Sequence, residues 1–112
     1  VEAVMRLVDV VPAEANRVTA DGVEDTLSAI APFRVVNIAA GRPTPLLDFV
    51  DAVERAVGRP ANRVLLPMQP GDVPRTFASP DLLRALTGYV PETPLEAGVE
   101  AFVAWYRDHY GG

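Results

Sequence analysis

The chain has 112 residues, of which 49% are hydrophobic and 22% are charged, a balance typical of one small globular domain with a real core. A formal net charge of -5 argues against a nucleic-acid partner, and the apolar runs are too short to span a membrane. The chain contains no cysteine, so disulfides, thiolate catalysis and cysteine-ligated zinc are excluded, and we expect a cytoplasmic protein.

The first two thirds of the chain predict a helix and two strands. Apolar residues at helical spacing predict a helix over Val1–Val11, and its abrupt start without an N-cap residue suggests that it was cut from a longer chain. After Pro12, an exposed segment without regular secondary structure is expected through about Ile30. The β-branched run Phe33–Ile38 then predicts a short buried strand, and Asn62–Met68 predicts a second one.

Start and stop signals predict two more helices. In the Thr44-Pro45 pair, threonine is expected as the N-cap and proline as the first residue of a helix that ends at Gly58. The Ser79-Pro80-Asp81 segment predicts a short helix that stops at Gly88. Because the two strands are separated by a helix, they can form a parallel βαβ unit. The predicted fold class is therefore α/β, with few strands and about four helices.

The last helix carries the clearest local signal. Thr93-Pro94-Leu95-Glu96 reads as a capping box that opens a helix reaching Tyr110. The helix carries one continuous apolar face, which consists of Leu95, Val99, Phe102, Val103, Tyr106 and Tyr110. That face needs a partner surface, and two strands are a small sheet for so much apolar helix. We therefore expect this chain to be a piece of a larger α/β enzyme.

The loop Leu66–Thr76 is the strongest candidate for a ligand site, because three prolines stiffen it and Gly71 permits a turn. Asp72 is either an acceptor for sugar hydroxyls or a turn residue that bonds its own backbone. Arg75 either pairs with a phosphate or carboxylate or is simply solvated. Gln69 either contacts a phosphate oxygen or closes the turn.

Other residues are less specific. Asn37 lies at the end of the first predicted strand, where α/β folds place ligands, but it can equally close a loop. His109, the one histidine, is expected to be solvated, and the aromatic residues of the last helix are expected in the core. All ten basic residues are arginine and no Gly-rich phosphate loop follows a strand, so we assign no catalytic, cofactor-binding or metal-binding residue to this chain.

Several segments together resemble the C-terminal part of the extended short-chain dehydrogenase/reductases of the NAD-dependent epimerase/dehydratase family, and within them most of all the UDP-glucuronate 4-epimerases. The segments that carry the resemblance are Arg34–Ile38, Thr44–Asp48, Leu66–Val73, Gly88–Thr93 and Gly98–Tyr110. The most specific of them is the Gln-Pro-Gly-Asp-Val motif that begins at Gln69.

The resemblance implies a partial Rossmann-type enzyme in which residues 1–112 form the C-terminal lobe that binds the nucleotide sugar. An N-terminal Rossmann domain, absent from this chain, would hold NAD and supply the catalytic tyrosine, lysine and serine or threonine. The family assigns Asp72 to the ribose hydroxyls, and Gln69 stands where many relatives use an arginine against the pyrophosphate. Leu46 falls at the uracil pocket, and Arg75 is a further candidate near the diphosphate.

The predicted function is that of a substrate-binding fragment of an NAD-dependent nucleotide-sugar 4-epimerase, of UDP-glucuronate/UDP-galacturonate type and inactive alone. Its expected partners are a UDP-sugar and the missing Rossmann domain, and the complete enzyme is compatible with a homodimer. No NAD binding by this chain alone is expected. The alternatives are a stand-alone nucleotide-binding or oligomerisation module, and a fragment of a related dehydratase, reductase or decarboxylase.

Overall fold

The computed structural model describes residues 1–111, in which four α-helices are connected by long irregular segments. The helices are α1 (Glu2–Val8), α2 (Leu46–Val57), α3 (Asp81–Thr87) and α4 (Leu95–Tyr110), with a short 3-10 helix at Glu14–Asn16. None of the described helices combines the length and the apolar character that crossing a membrane requires. The chain divides into unit 1, residues 1–42 and 77–92, and unit 2, residues 43–76 and 93 onward.

The predicted α/β fold is wrong for this chain, because residues 1–111 contain helices but no β-strand. The expected strands at Phe33–Ile38 and Asn62–Met68 are both irregular. A β-branched run becomes a strand only when a neighbouring strand pairs with its backbone N–H and C=O groups. At Val35 a side chain takes that place, since the Thr26 hydroxyl accepts from the amide at 3.1 Å and donates to the carbonyl.

Unit 1 is built around the packing of α1 against α3. Its buried apolar side chains are Ala3, Leu27 and Leu83. The Arg6 guanidinium lies 4.8 Å from the centroid of the Tyr89 ring, which adds a cation–π contact. Most of the remaining backbone of this unit is irregular and depends on side-chain hydrogen bonds for its shape.

Unit 2 is built around the packing of α2 against α4. Ala52 of α2 and Val99 and Val103 of α4 form its buried cluster, and Val53, Ala56, Val57 and Leu95 pack against that cluster. Burying one valine contributes on the order of 1.5–3 kcal/mol, so this contact is the main apolar source of stability in the unit. The helical periodicity predicted the Val99 and Val103 positions correctly.

The helix starts differ from the predicted caps by one residue. Pro45 and Pro94 are the N-caps of α2 and α4, and Gly98 N donates to Pro94 O at 3.0 Å as the first intrahelical bond. Thr44 and Thr93 therefore lie one position too early to cap, and the predicted capping box is not formed. Neither helix has a side-chain cap bond. The local signal identified each helix but misplaced its first residue.

The helix ends follow the predicted stop signals more closely. Gly58 and Gly88 terminate α2 and α3 as expected, and the φ of Gly58 is 83°. Only glycine adopts this left-handed conformation without a steric penalty, and its N–H donates to Glu54 O at 2.8 Å. By contrast, α1 ends at Val8, before the predicted end at Val11.

Candidate functional site

A β-turn closes the predicted ligand loop. The Asp72 N–H donates to the Gln69 carbonyl at 3.1 Å, with Pro70 and Gly71 at the two central positions. The φ of Gly71 is 93°, the positive value that a type II turn requires at its third residue. Proline favours the preceding position because its ring fixes φ near the required value. The sequence Gln-Pro-Gly-Asp therefore specifies this backbone locally.

The charged side chains of the loop have no partner among residues 1–111. Asp72 and Arg75 are both exposed, and neither forms an ion pair or a side-chain hydrogen bond within that range. The Gln69 side chain donates to Pro67 O at 3.5 Å, at the long limit for such a bond. Because the Asp72 amide closes the turn and its carboxylate does not, that carboxylate remains available to a ligand.

Leu46 is the first residue of α2, and its side chain is 75% exposed. Leu46, Gln69, Asp72 and Arg75 all belong to unit 2. The turn brings Gln69 and Asp72 together, but among residues 1–111 no hydrogen bond or ion pair joins Leu46 or Arg75 to them. The roles of these four residues in ligand binding remain predictions.

An ion-pair cluster holds the segment that leads from α2 to the loop. Arg63 Nε and Nη2 donate to the two carboxylate oxygens of Glu54 at 2.9 and 2.6 Å, and Nη2 also donates to Asp51. Glu54 further accepts from Ala61 N at 2.9 Å. The Arg63 hydrogen bonds, followed by the Ala61 bond, lower the pKa of Glu54. Sequence reasoning missed this cluster, because it joins residues seven to twelve positions apart.

An apolar groove with a cavity volume of about 1150 Å³ lies between α2 and α4 in unit 2. Arg107 lines the groove and donates to Val57 O, one of the last carbonyls of α2. None of the four predicted site residues lines the groove. Its lining residues are Phe49, Val53, Val57, Arg59, Thr93, Pro94, Leu95, Gly98, Val99, Phe102, Val103, Tyr106 and Arg107.

The aromatic side chains of α4 lie on the surface, not in the expected core. Phe102, Trp105, Tyr106 and Tyr110 are each about half exposed. They contact one another along the helix, with Tyr106 and Tyr110 ring centroids 4.8 Å apart and Trp105 stacked on His109 at 5.4 Å. The helical spacing did identify an apolar face on α4, but this chain covers only part of it.

The one buried ion pair of the described residues lies in unit 1. Arg34 Nε and Nη2 donate to the two carboxylate oxygens of Asp25 at 2.8 and 2.9 Å, and both side chains are at least 96% buried. The Asp25 carboxylate also accepts from Val18 N and Leu27 N. It thereby organises a segment that the sequence predicted only as an exposed excursion.

These contacts change the titration of Asp25. The Arg34 hydrogen bonds, helped by those from Val18 and Leu27, outweigh desolvation and lower the pKa of Asp25 from 3.8 to about 2. Arg34 Nη2 also reaches Asn16 Oδ1 at 3.2 Å, whereas the buried Nη1 has no partner among residues 1–111. Because Asp25 joins the backbone amides of Val18 and Leu27 to the Arg34 side chain, the cluster is structural.

Asn37 lines a small concavity of unit 1 with a volume of about 280 Å³. Glu24, Ser79 and Asp81 contribute further polar groups to it. Ser79 Oγ accepts from Asp81 N at 3.3 Å, and Asp81 pairs with Arg84, so two of these groups already have partners. The structure therefore leaves both sequence interpretations of Asn37 open to test.

Comparison with known proteins identifies relatives of the kind that the sequence motifs predicted. No protein-family model matches the chain. It is 58% identical over 110 residues to a probable UDP-glucuronate 4-epimerase of Rhizobium meliloti (strain 1021), and 40% identical over 110 residues to Protein CapI of Staphylococcus aureus. It is also 39% identical over 83 residues to UDP-glucuronate 4-epimerase 4 of Arabidopsis thaliana.

These matches cover very different shares of the proteins compared. The Rhizobium and Staphylococcus matches each include 98% of this chain but only 32% and 33% of the relative, and the Arabidopsis match includes 73% of this chain and 19% of the relative. The chain thus spans about a third of the length of the first two relatives. The predicted resemblance is confirmed: over nearly its whole length, this chain is similar to the C-terminal third of a probable UDP-glucuronate 4-epimerase.

Proposed function

We propose that this chain is the substrate-binding C-terminal portion of an NAD-dependent nucleotide-sugar 4-epimerase of UDP-glucuronate/UDP-galacturonate type, and that it is inactive alone. The observation that carries the proposal is the 58% identity to the probable UDP-glucuronate 4-epimerase over 98% of this chain. The rigid Gln69–Asp72 turn, whose carboxylate has no partner among residues 1–111, supports it. A stiff loop loses little conformational freedom when it binds a ligand.

The proposed contribution of this chain is to bind and orient the nucleotide. The Asp72 carboxylate accepts hydrogen bonds from the ribose hydroxyls, and the Gln69 amide donates to a pyrophosphate oxygen. Arg75 contributes positive charge near the diphosphate, and the exposed Leu46 side chain covers one face of the uracil. Because Gln69 is neutral, its hydrogen bond is weaker than one from an arginine would be.

NAD belongs to this proposal as a cofactor of the complete enzyme, but the residues of this chain do not fit its binding site. A dinucleotide phosphate is normally bound by a Gly-rich turn between a strand and the N-terminus of a helix. Residues 1–111 contain no strand, and each helix is preceded by proline or by Val1. We therefore assign to this chain no step that involves NAD.

The test uses a chimera in which this chain replaces the C-terminal third of the Rhizobium relative. Asp72→Ala should weaken UDP binding by roughly 10- to 150-fold, because hydrogen bonds to a charged group contribute about 1.5–3 kcal/mol. Isothermal titration calorimetry with UDP measures the change. The matched control is Asp21→Ala, which removes an exposed carboxylate from another Asp-containing turn. Equal UDP affinity of the chimera and its Asp72→Ala variant would contradict the proposal.

The exposed groove between α2 and α4 also favours a second candidate, a stand-alone interaction module. Calorimetry of the 112-residue chain with UDP, together with light scattering, separates the two candidates. A discrete species that binds UDP without any further domain favours the module. Loss of UDP binding in the isolated chain, with binding in the chimera, favours the epimerase portion.

A further inference from the structure

The α2–α4 groove leaves more apolar surface uncovered than unit 2 needs for its own core. Phe49, Phe102 and Tyr106 line the groove and are 46%, 60% and 48% exposed, although the neighbouring Val99 and Val103 are buried. Exposed apolar surface that is contiguous, as here, is a candidate site for contact with a partner. A helix pair with one uncovered face also lacks the second layer that a domain core normally has.

Gly98 gives an independent indication that something approaches this surface. It lies inside α4 and lines the groove, where glycine disfavours the helix relative to alanine. The chain itself does not require glycine at this position. A Cβ atom on Gly98 would meet only Thr93 Cγ2, at an ordinary contact distance of 3.8 Å. The missing side chain instead leaves room for another backbone to approach from the groove side.

The length of the relatives indicates which element covers the groove. This chain accounts for 32% of the Rhizobium relative, so about two thirds of a protein of that kind lies outside the matched region. We propose that the α2–α4 groove is the surface that contacts the N-terminal two thirds of the complete protein, an inference that rests on the proposed function. An apolar element of that part packs against Phe102 and Tyr106 and approaches α4 closely at Gly98. This contact is distinct from the Gln69–Asp72 turn, because neither end of that turn lines the groove.

Hydroxyl-radical footprinting read by mass spectrometry tests the contact without a substitution. Tyr106 should be modified at least about fivefold more slowly in the chimera than in the 112-residue chain, because its exposure falls from 48% to below about a tenth, as in buried residues. Tyr110 is the matched control, since it has the same side chain, lies on the same helix and does not line the groove. Its modification should change less than about twofold, as expected for a side chain that stays exposed.

Two results would overturn the proposal. Equal modification of Tyr106 in the chimera and in the isolated chain means that the groove stays open. Protection of Tyr106 in the isolated chain that grows with protein concentration, accompanied by a doubled mass in light scattering, means that a second copy covers it. Neither result depends on UDP binding. If Asp72→Ala weakens UDP binding in the chimera but the groove stays open, the proposed function stands and the proposed groove contact is wrong.

Gly98→Ala tests the close approach directly. In the isolated chain the substitution should raise the thermal midpoint, because alanine is the better helix former and its methyl group fits beside Thr93. In the chimera the added methyl group should clash with the covering element and lower the midpoint. A rise of similar size in both proteins would contradict a close approach at this position.

Discussion

Each unit contains an aspartate and an arginine that sequence reasoning could have paired, and the two sets have opposite environments. Asp25 and Arg34 in unit 1 are buried and share two hydrogen bonds of 2.8 and 2.9 Å. Asp72 and Arg75 in unit 2 are exposed and unpaired among residues 1–111. Asp72 and Arg75 lie closer together in sequence than Asp25 and Arg34, yet they form no ion pair with each other.

The difference arises from the backbone around each carboxylate. Two backbone amides, from Val18 and Leu27, point at Asp25 and join the guanidinium in satisfying it away from water. The Asp72 carboxylate receives no such bonds among residues 1–111, and only the backbone amide of Asp72 takes part in the turn around Pro70 and Gly71. A satisfied carboxylate stabilises the fold, whereas an unsatisfied exposed one can exchange water for a ligand at little cost.

The largest expected effect comes from breaking the buried pair. Arg34→Ala should lower the free energy of unfolding by about 3–5 kcal/mol, because it leaves the Asp25 carboxylate buried without its counter-ion. Urea denaturation followed by circular dichroism measures this loss, and hydrogen exchange of unit 1 amides locates it. Arg34→Lys should restore only part of the stability, since lysine cannot donate two parallel hydrogen bonds. A loss as small as that of a surface residue would show that the pair is not structural.

A smaller effect should appear in acid. The folded-state pKa of Asp25, about 2, lies below its ordinary value of 3.8, so the unfolded chain takes up this proton more readily. The stabilisation is therefore complete above the unfolded-state pKa and is lost as the pH falls from 3.8 towards 2. Unfolding free energies measured across this interval should fall more steeply for the unmodified chain than for Asp25→Asn. Identical slopes would contradict the assignment.

The smallest expected effect on stability is at the exposed residues. Asp72→Ala and Arg75→Ala should each change the free energy of unfolding by less than about 0.5 kcal/mol, as is usual for surface positions without partners. The same urea titrations provide the measurement. If either variant were as destabilised as Arg34→Ala, its side chain would have a structural role and the contrast between the two units would fail.

The sequence predicted the features that depend on near neighbours along the chain. Glycine stops α2 at Gly58 and α3 at Gly88, and the Pro70-Gly71 pair forms the turn beneath Asp72. Periodicity found the apolar face of α4, with Val99 buried as expected. The motifs also predicted the family resemblance, because it rests on residue identity at fixed spacing and not on fold.

Only the tertiary structure decided which of these local tendencies found partners. The run Phe33–Ile38 has strand propensity, yet no neighbouring strand pairs with it among residues 1–111, so it stays irregular. The Asp25–Arg34 pair was missed because its two residues lie nine positions apart and local sequence patterns do not show that both side chains are buried. Propensities and turns are set within a few residues, but strand pairing, burial of a charge and exposure of a groove depend on what the rest of the chain brings near.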